Sequence, residues 1–256
     1  VRLTFSGGLF LRIFWDGIEV GKSVLPYTLE DYEFDSGKPG KHELAIVADN
    51  VLTGTNDEMF KEYYDFYGYG GIYSHVELEK IADETIRRIQ VIPLDYQTGE
   101  IEVAVEFPDA PETTDITLAF DGGMPEKISC SGPIRRKVPN FRLWTPDTPN
   151  LHTLTIARNG KSKEVVFGIR TLDWHGGILR INGQPLRLLG YCRHEAHPDF
   201  GTATPLSVVR NDLVRIKNQG CNFIRGSHYP QREEMLDLCD RLGILVWDES
   251  LGWGNR

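Results

Sequence analysis

Two rhythms of apolar and polar positions divide the chain near residue 171. Before that point apolar residues recur at alternate positions in short runs broken by turn residues, as antiparallel strands with one buried face require. Residues 9–15 meet Asp16-Gly17 and residues 18–20 return, which predicts a tight hairpin. Lys38-Pro39-Gly40 marks a second turn before a strand over 42–47. An acid- and aromatic-rich loop covers 56–69, and a strand over 70–78 closes this segment. From about residue 83 the alternation is more regular, predicting strands over 88–93, 100–107, 115–120, 151–157 and 163–170, the last two joined at Asn159-Gly160. The proline-rich stretch 139–149, which carries Trp144, reads as a loop crossing the resulting sandwich.

After residue 171 the period lengthens. Thr204 is placed to cap a helix opening on Pro205, with Leu206, Val209, Leu213 and Ile216 at spacings of three and four and Gly220 at its end. A second helix over 231–242 aligns Met235, Leu238, Cys239 and Leu242 and stops at Gly243. Apolar runs at 186–192, 222–224 and 244–247 flank these helices and read as buried strands. Strand, helix, strand, helix, strand is the opening of a β/α barrel, with only three of eight strands present by Arg256. In parallel α/β enzymes the reactive groups sit where the strands end. Here the strands deliver Arg193-His194-Glu195, then Arg225 and His228-Tyr229, then Asp248-Glu249, and that repetition predicts a pocket.

Composition narrows the function classes. With 40% hydrophobic and 25% charged residues over 256 positions, the chain can bury a core in each of two or three domains. A net charge of −9, with no basic cluster, argues against a nucleic-acid partner. No apolar run approaches the roughly 20 residues that cross a bilayer, so no membrane partner is predicted. Residues 1–5 read as a strand already under way, which leaves any export signal upstream and the compartment, cytoplasmic or exported, open. Cys130, Cys192, Cys221 and Cys239 lack metal-type spacing, and the last three fall in apolar patterns that predict reduced, buried thiols. His194 and His197 are three apart and followed by proline, unlike the i, i+4 pair of a zinc-protease helix, so no metal is assigned. Gly68-Tyr69-Gly70-Gly71 lacks the strand and helix a nucleotide loop needs and reads as a turn or bulge; no cofactor is predicted.

Arg193-His194-Glu195-x-His197-Pro198, then Arg225-x-Ser227-His228-Tyr229-Pro230, then Asp248-Glu249 resemble the start of the catalytic barrel of glycoside hydrolase family 2, which contains β-galactosidases, β-glucuronidases and β-mannosidases. The likeness extends over nearly the whole chain. Residues 1–82 resemble the later part of the family's sugar-binding jelly roll, through Asp65-Phe66-Tyr67-Gly68-Tyr69-Gly70-Gly71-Ile72-Tyr73. Residues 83–170 resemble its immunoglobulin-like β-sandwich, through Leu143-Trp144-Thr145-Pro146-Asp147-x-Pro149-Asn150-Leu151. Residues 171–256 resemble the first strands of its (β/α)8 TIM barrel. The implied fold is therefore multidomain: partial jelly roll, immunoglobulin-like sandwich, opening of a barrel.

The resemblance implies that Asp65, His194, His228 and Arg225 bind a carbohydrate substrate. Imidazoles can donate at one nitrogen and accept at the other, as sugar hydroxyls require, and a guanidinium can orient a carboxylate by paired hydrogen bonds. The alternatives are structural histidines, a structural salt bridge for Arg225 and a loop-capping role for Asp65. Adjacent strand residues face opposite sides, so Asp248 and Glu249 cannot flank one glycosidic bond together. With Glu195, they are read as supporting residues. Trp253 and Tyr69 are candidates for stacking on sugar faces, with simple packing as the alternative.

The family hydrolyses β-glycosides with retention, using two carboxyl groups about 5–5.5 Å apart. The family's acid/base lies in an Asn-Glu pair on a later strand, and this chain has no such dipeptide, so both carboxylates are expected beyond Arg256. An open three-stranded barrel further implies association with the rest of the enzyme or self-association. Trp253 and Asn255 stand where family β-galactosidases have metal ligands, so no magnesium site is expected. Residues 248–254 and the Asp65 motif lean toward β-glucuronidase, whereas residues 193–198 look more like β-galactosidase. Rival classes are a non-catalytic carbohydrate-binding module, disfavoured by the barrel strands, and a structural adhesion fragment. Purified residues 1–256 are expected to show no turnover of an aryl β-glycoside; turnover above the uncatalysed rate contradicts that.

Overall fold

The computed structural model describes residues 1–8, 10–50, 68–81, 86–108 and 112–250. These fall into two compact units. One gathers Val1–Lys80, Leu189–Cys239 and the segment from Leu245; the other contains Ile81–Leu188 and Asp240–Ile244.

The first unit begins with β1 (Arg2–Phe5), β2 (Phe10–Trp15), β3 (Ile18–Ser23), β4 (Glu30–Glu33), β5 (Leu44–Asp49) and β6 (Glu77–Glu79). They pair in the orders β4-β1-β6 and β3-β2-β5, all antiparallel. Leu3 and Phe5 of one sheet meet Leu11 and Ile13 of the other in a common core, as the alternation predicted. The predicted hairpin forms: Asp16 and Gly17 both take positive φ, 50° and 78°, the combination a two-residue type I′ turn needs. The strand expected over 70–78 shrinks to Glu77–Glu79. Ahead of it, Gly71 adopts φ +92°, Ile72 makes only an isolated bridge to Gly7, and Tyr73 and Ser74 satisfy the backbone of Ser6 instead of a ladder.

The second unit holds β7 (Arg88–Asp95), β8 (Glu100–Glu106), β9 (Thr114–Phe120), β10 (Glu126–Cys130), β11 (Ile134–Lys137), β12 (His152–Arg158) and β13 (Lys161–Phe167). They form a β10-β9-β12-β13 sheet and a β11-β8-β7 sheet whose inner residues, among them Ile101, Val103, Ile116, Leu118, Leu154 and Ile156, share one core. Strands β10 and β11, whose charged residues obscure the alternation, fall outside the elements predicted from the sequence. The meander β14 (Leu172–His175), β15 (Ile178–Ile181) and β16 (Gln184–Pro185) was also not predicted; β14 is exposed throughout, whereas β15 buries Ile181. Trp144 is fully buried: its indole N–H donates to the Asp240 carbonyl at 2.7 Å, and the Arg170 guanidinium lies 4.6 Å from its ring centroid.

The first unit is completed by β17 (Gly190–Arg193), α1 (Leu206–Asn218), β18 (Phe223–Gly226), α2 (Glu233–Leu242) as far as Cys239, and β19 (Leu245–Trp247), a β/α alternation with a parallel β17-β18-β19 sheet. The helices bury Val209 and Leu213, and Met235 and Cys239. Three expectations change. The strand expected over 186–192 starts only at Gly190, because Leu186 still hydrogen-bonds Leu179 in the preceding meander. Thr204 does not cap α1; its hydroxyl donates to the Gly201 carbonyl, and Pro205 holds the cap position without a side-chain bond. Cys192 is exposed, whereas Cys221 and Cys239 are buried as expected. The register puts Cys192 beside Arg225 and Trp247, while the other face, with Ile224 and Arg193, turns toward Asp212 of α1 and Met235 of α2.

Trp144→Ala is expected to lower unfolding free energy by about 3–5 kcal/mol, the usual consequence of emptying a large aromatic site. Denaturant titration measures it, and a loss below about 1 kcal/mol contradicts the anchoring role.

Candidate functional site

Parallel register assembles the site. Arg193 pairs with Gly226, and Arg225 with Trp247, so His194, Ser227 and Asp248 each follow directly where their strands stop pairing. Gly190 permits the close approach of β17 and β18, since a Cβ there would lie 1.6 Å from the Phe223 carbonyl oxygen. Beyond the strand ends the His194 and His228 rings meet edge to face, centroids 5.1 Å apart.

One carboxylate organises this end of the sheet. Glu249 accepts from Arg225 Nε at 2.6 Å and Nη2 at 3.3 Å, and its Oε2 lies 3.2 Å from His228 Nδ1. Because an ionised carboxylate only accepts, the Nδ1 position of His228 carries the proton, and in the neutral ring Nε2 is then the acceptor. Arg225 holds the Glu249 carboxyl below its ordinary range; desolvation opposes this and the His228 bond adds to it. The guanidinium of Arg225 is correspondingly pushed up by Glu249. Asp248 departs in the other direction: desolvation raises its carboxyl, opposed by backbone N–H groups of Gln231 and Glu249. Its Oδ1 accepts from Gln231 N at 3.0 Å, so the two adjacent acids serve different partners.

Behind the histidines lies a buried polar layer. Glu195, 5% exposed, accepts from Arg193 Nη1 at 2.6 Å, and its second oxygen lies 3.3 Å from Arg232 Nη2. Arg193 also approaches Asp212 of α1, and Arg232 donates to the Thr204 carbonyl at 2.6 Å. The Glu195 backbone N–H donates to the Tyr229 hydroxyl at 2.9 Å. Burial pushes that phenol up to about 12, so it stays protonated as an acceptor. Tyr229 stacks on Tyr27 with centroids 3.9 Å apart, and Tyr27 in turn lies against Tyr73. A cavity of about 20 Å³, on the order of a single water, is lined by Tyr27, Tyr73, Glu195, Tyr229 and Gln231 among others.

The structure thus brings His194, His228, Arg225 and Glu249 together, with Glu195 and Asp248 behind or beside them. Asp65, Trp253 and Asn255 lie outside the described residues. Tyr69 packs on Gly201, and its carbonyl accepts from the Tyr73 hydroxyl. His197 belongs to a local turn, exchanging backbone bonds with Gly201 and accepting at Nδ1 from Asp199 N. Sequence reasoning gave no role to Tyr27, Tyr229, Arg193 or Arg232. Tyr229 and Arg193 stand inside the quoted motifs; nothing local marks Tyr27.

Comparison with known proteins gives this arrangement a family. Residues 173–254 match the model described as "Glycosyl hydrolases family 2, TIM barrel domain". A β-galactosidase from Thermoanaerobacter pseudethanolicus is 32% identical over 99% of this chain and 37% of its own length. The chain belongs to glycoside hydrolase family 2. Another family relative by similarity, a putative β-glucuronidase from Formosa agariphila, is 30% identical over 98% of this chain and 33% of its own length. Among solved structures, the family 2 β-galacturonidase from Eisenbergiella tayi bound to galacturonate superposes with TM-score 0.85 at 31% identity, covering 97% of this chain and 47% of that one. A Parabacteroides merdae β-glucuronidase superposes with TM-score 0.80 at 27% identity, covering 97% and 35%. The chain therefore spans between a third and a half of the length of these family members.

The Glu249 carboxyl sits below its ordinary value of 4.5, so its bonds stabilise the fold fully above that pH and lose their effect as acid protonates the group. Glu249→Gln is expected to lower the denaturation midpoint at pH 7, with the gap from wild type closing as pH falls below about 4. A gap that is constant with pH, or widens in acid, contradicts the assignment.

Proposed function

We propose that this chain supplies the sugar-binding side of a retaining β-glycosidase site, in which His194 and His228 bind hydroxyls of the terminal sugar and Arg225 fixes Glu249 behind them. The observation that carries this reading is the convergence of the two imidazoles at the ends of neighbouring parallel strands, 5.1 Å apart. Such a pair presents ring-nitrogen donors and acceptors to adjacent hydroxyls. The Arg225–Glu249 pair fixes the His228 ring, and a fixed ring binds with less ordering cost. On the family pattern, hydrolysis proceeds through a covalent glycosyl intermediate formed by a carboxylate nucleophile, with a second carboxyl as acid and then base. Neither Glu249 nor Asp248 is assigned those roles, since Glu249 is held by Arg225 and His228 and Asp248 by Gln231.

For the substrate we favour a terminal β-linked uronic acid. The β-galacturonidase and β-glucuronidase structures that superpose at TM-scores of 0.85 and 0.80 support a uronide. Identity of 32% to a β-galactosidase, together with the Arg193–His197 motif, favours β-galactoside hydrolysis as the second reading. The domain division proposed from sequence, 1–82, 83–170 and 171–256, accompanies this reading.

The test is the specificity constant of the complete protein carrying this chain on 4-nitrophenyl β-D-glucuronide, β-D-galacturonide and β-D-galactoside. One uronide is expected to exceed the galactoside by about 100-fold or more, as sites built around a polar substrate group discriminate. Preference for the galactoside selects the second reading, and turnover of none of them overturns both.

A further inference from the structure

Tyr27 lies in the N-terminal β-rich part of its unit, far in sequence from the histidines, yet it meets the site. Its ring stacks on Tyr229 with an interplanar angle of 11° and centroids 3.9 Å apart. Tyr229 directly follows His228, and its hydroxyl accepts from the backbone N–H of Glu195, which directly follows His194. The Tyr229 ring also lies 6.0 Å from the His194 ring. One side chain therefore ties together both backbone segments that carry the imidazoles, and Tyr27 covers its face.

Tyr27 itself is in a strained conformation, with φ +63°, a region bulky L-residues rarely occupy. It is 8% exposed and its other flank lies against Tyr73, at 5.4 Å. A turn needing only positive φ would accept glycine or asparagine at no steric cost. A tyrosine held there is accounted for by what its ring does.

We propose that Tyr27 is a positioning residue for the sugar pocket, acting through Tyr229 to fix the spacing and orientation of His194 and His228. The pocket's role in sugar binding rests on the function proposed above; the positioning of the imidazoles does not. Stacking, not the Tyr27 hydroxyl, carries the effect, so Tyr27→Phe should behave as wild type and Tyr27→Ala should not.

The experiment follows acylation of individual histidines by diethylpyrocarbonate, mapped by mass spectrometry, in the complete protein and its variants. His42 is the internal control, since it is in the same unit but bonded to Asp16 and Lys38. Tyr27→Ala is expected to change the His194 and His228 rates by about fivefold, the factor a lost aromatic stack corresponds to, with His42 unmoved and Tyr27→Phe restoring both. Unchanged His194 and His228 rates in Tyr27→Ala overturn the proposal. If all three histidines accelerate, the unit has loosened as a whole and Tyr229→Phe decides: it keeps the stack and removes the acceptor for Glu195. A changed His194 rate there supports the proposal, and a wild-type rate overturns it. Protection of wild-type His194 and His228 by glucuronate, galacturonate or galactose reads the sugar site separately, so its absence counts against the proposed function and leaves the Tyr27 result standing.

Discussion

The site depends on the register of three parallel strands. Pairing of Arg193 with Gly226 and of Arg225 with Trp247 fixes which residues emerge together at one end of the sheet. A slip of one position would turn every side chain to the opposite face. Arg225 would then leave Glu249, and His194 would no longer face His228. Gly190 holds that register closely, because its missing side chain is what lets β17 lie against the Phe223 carbonyl.

Electrostatics finishes what register begins. Two charge networks lie at the strand ends: Arg225, Glu249 and His228 toward the mouth, and Arg193, Glu195 and Arg232 in the buried layer. In each, one carboxylate is bracketed by cationic or donor groups, so each acid is compensated. A buried charge without such partners would be costly, which explains why Glu195, the more enclosed acid, has an arginine on both sides. These acids orient neighbouring groups, among them the His228 ring.

Much of this was legible in the sequence because the signals were local. Apolar runs ending in charged or imidazole residues marked the parallel strands, and Gly220 and Gly243 marked the helix ends. The alternation rule set Asp248 and Glu249 on opposite faces, but the strand ends at Trp247, and the two acids take different partners in the irregular segment that follows. What escaped was non-local. Tyr27 gains its meaning only from a ring about two hundred residues away in sequence, and no periodicity records that contact. Cys192 was assigned to the core because its run is apolar, but the face that holds it also carries Arg225 and Trp247 and is open among the described residues. Strands β10 and β11 went unseen because each is a short run in which charged residues interrupt the few core-facing apolar ones, Ile128, Cys130 and Ile134.

A crystal structure of the protein with bound glucuronate or galacturonate tests the central claim most directly. The account predicts one sugar ring at the strand ends, with hydroxyls about 3 Å from a nitrogen of His194 and of His228 alike. A sugar bound elsewhere, or touching neither imidazole, would contradict it.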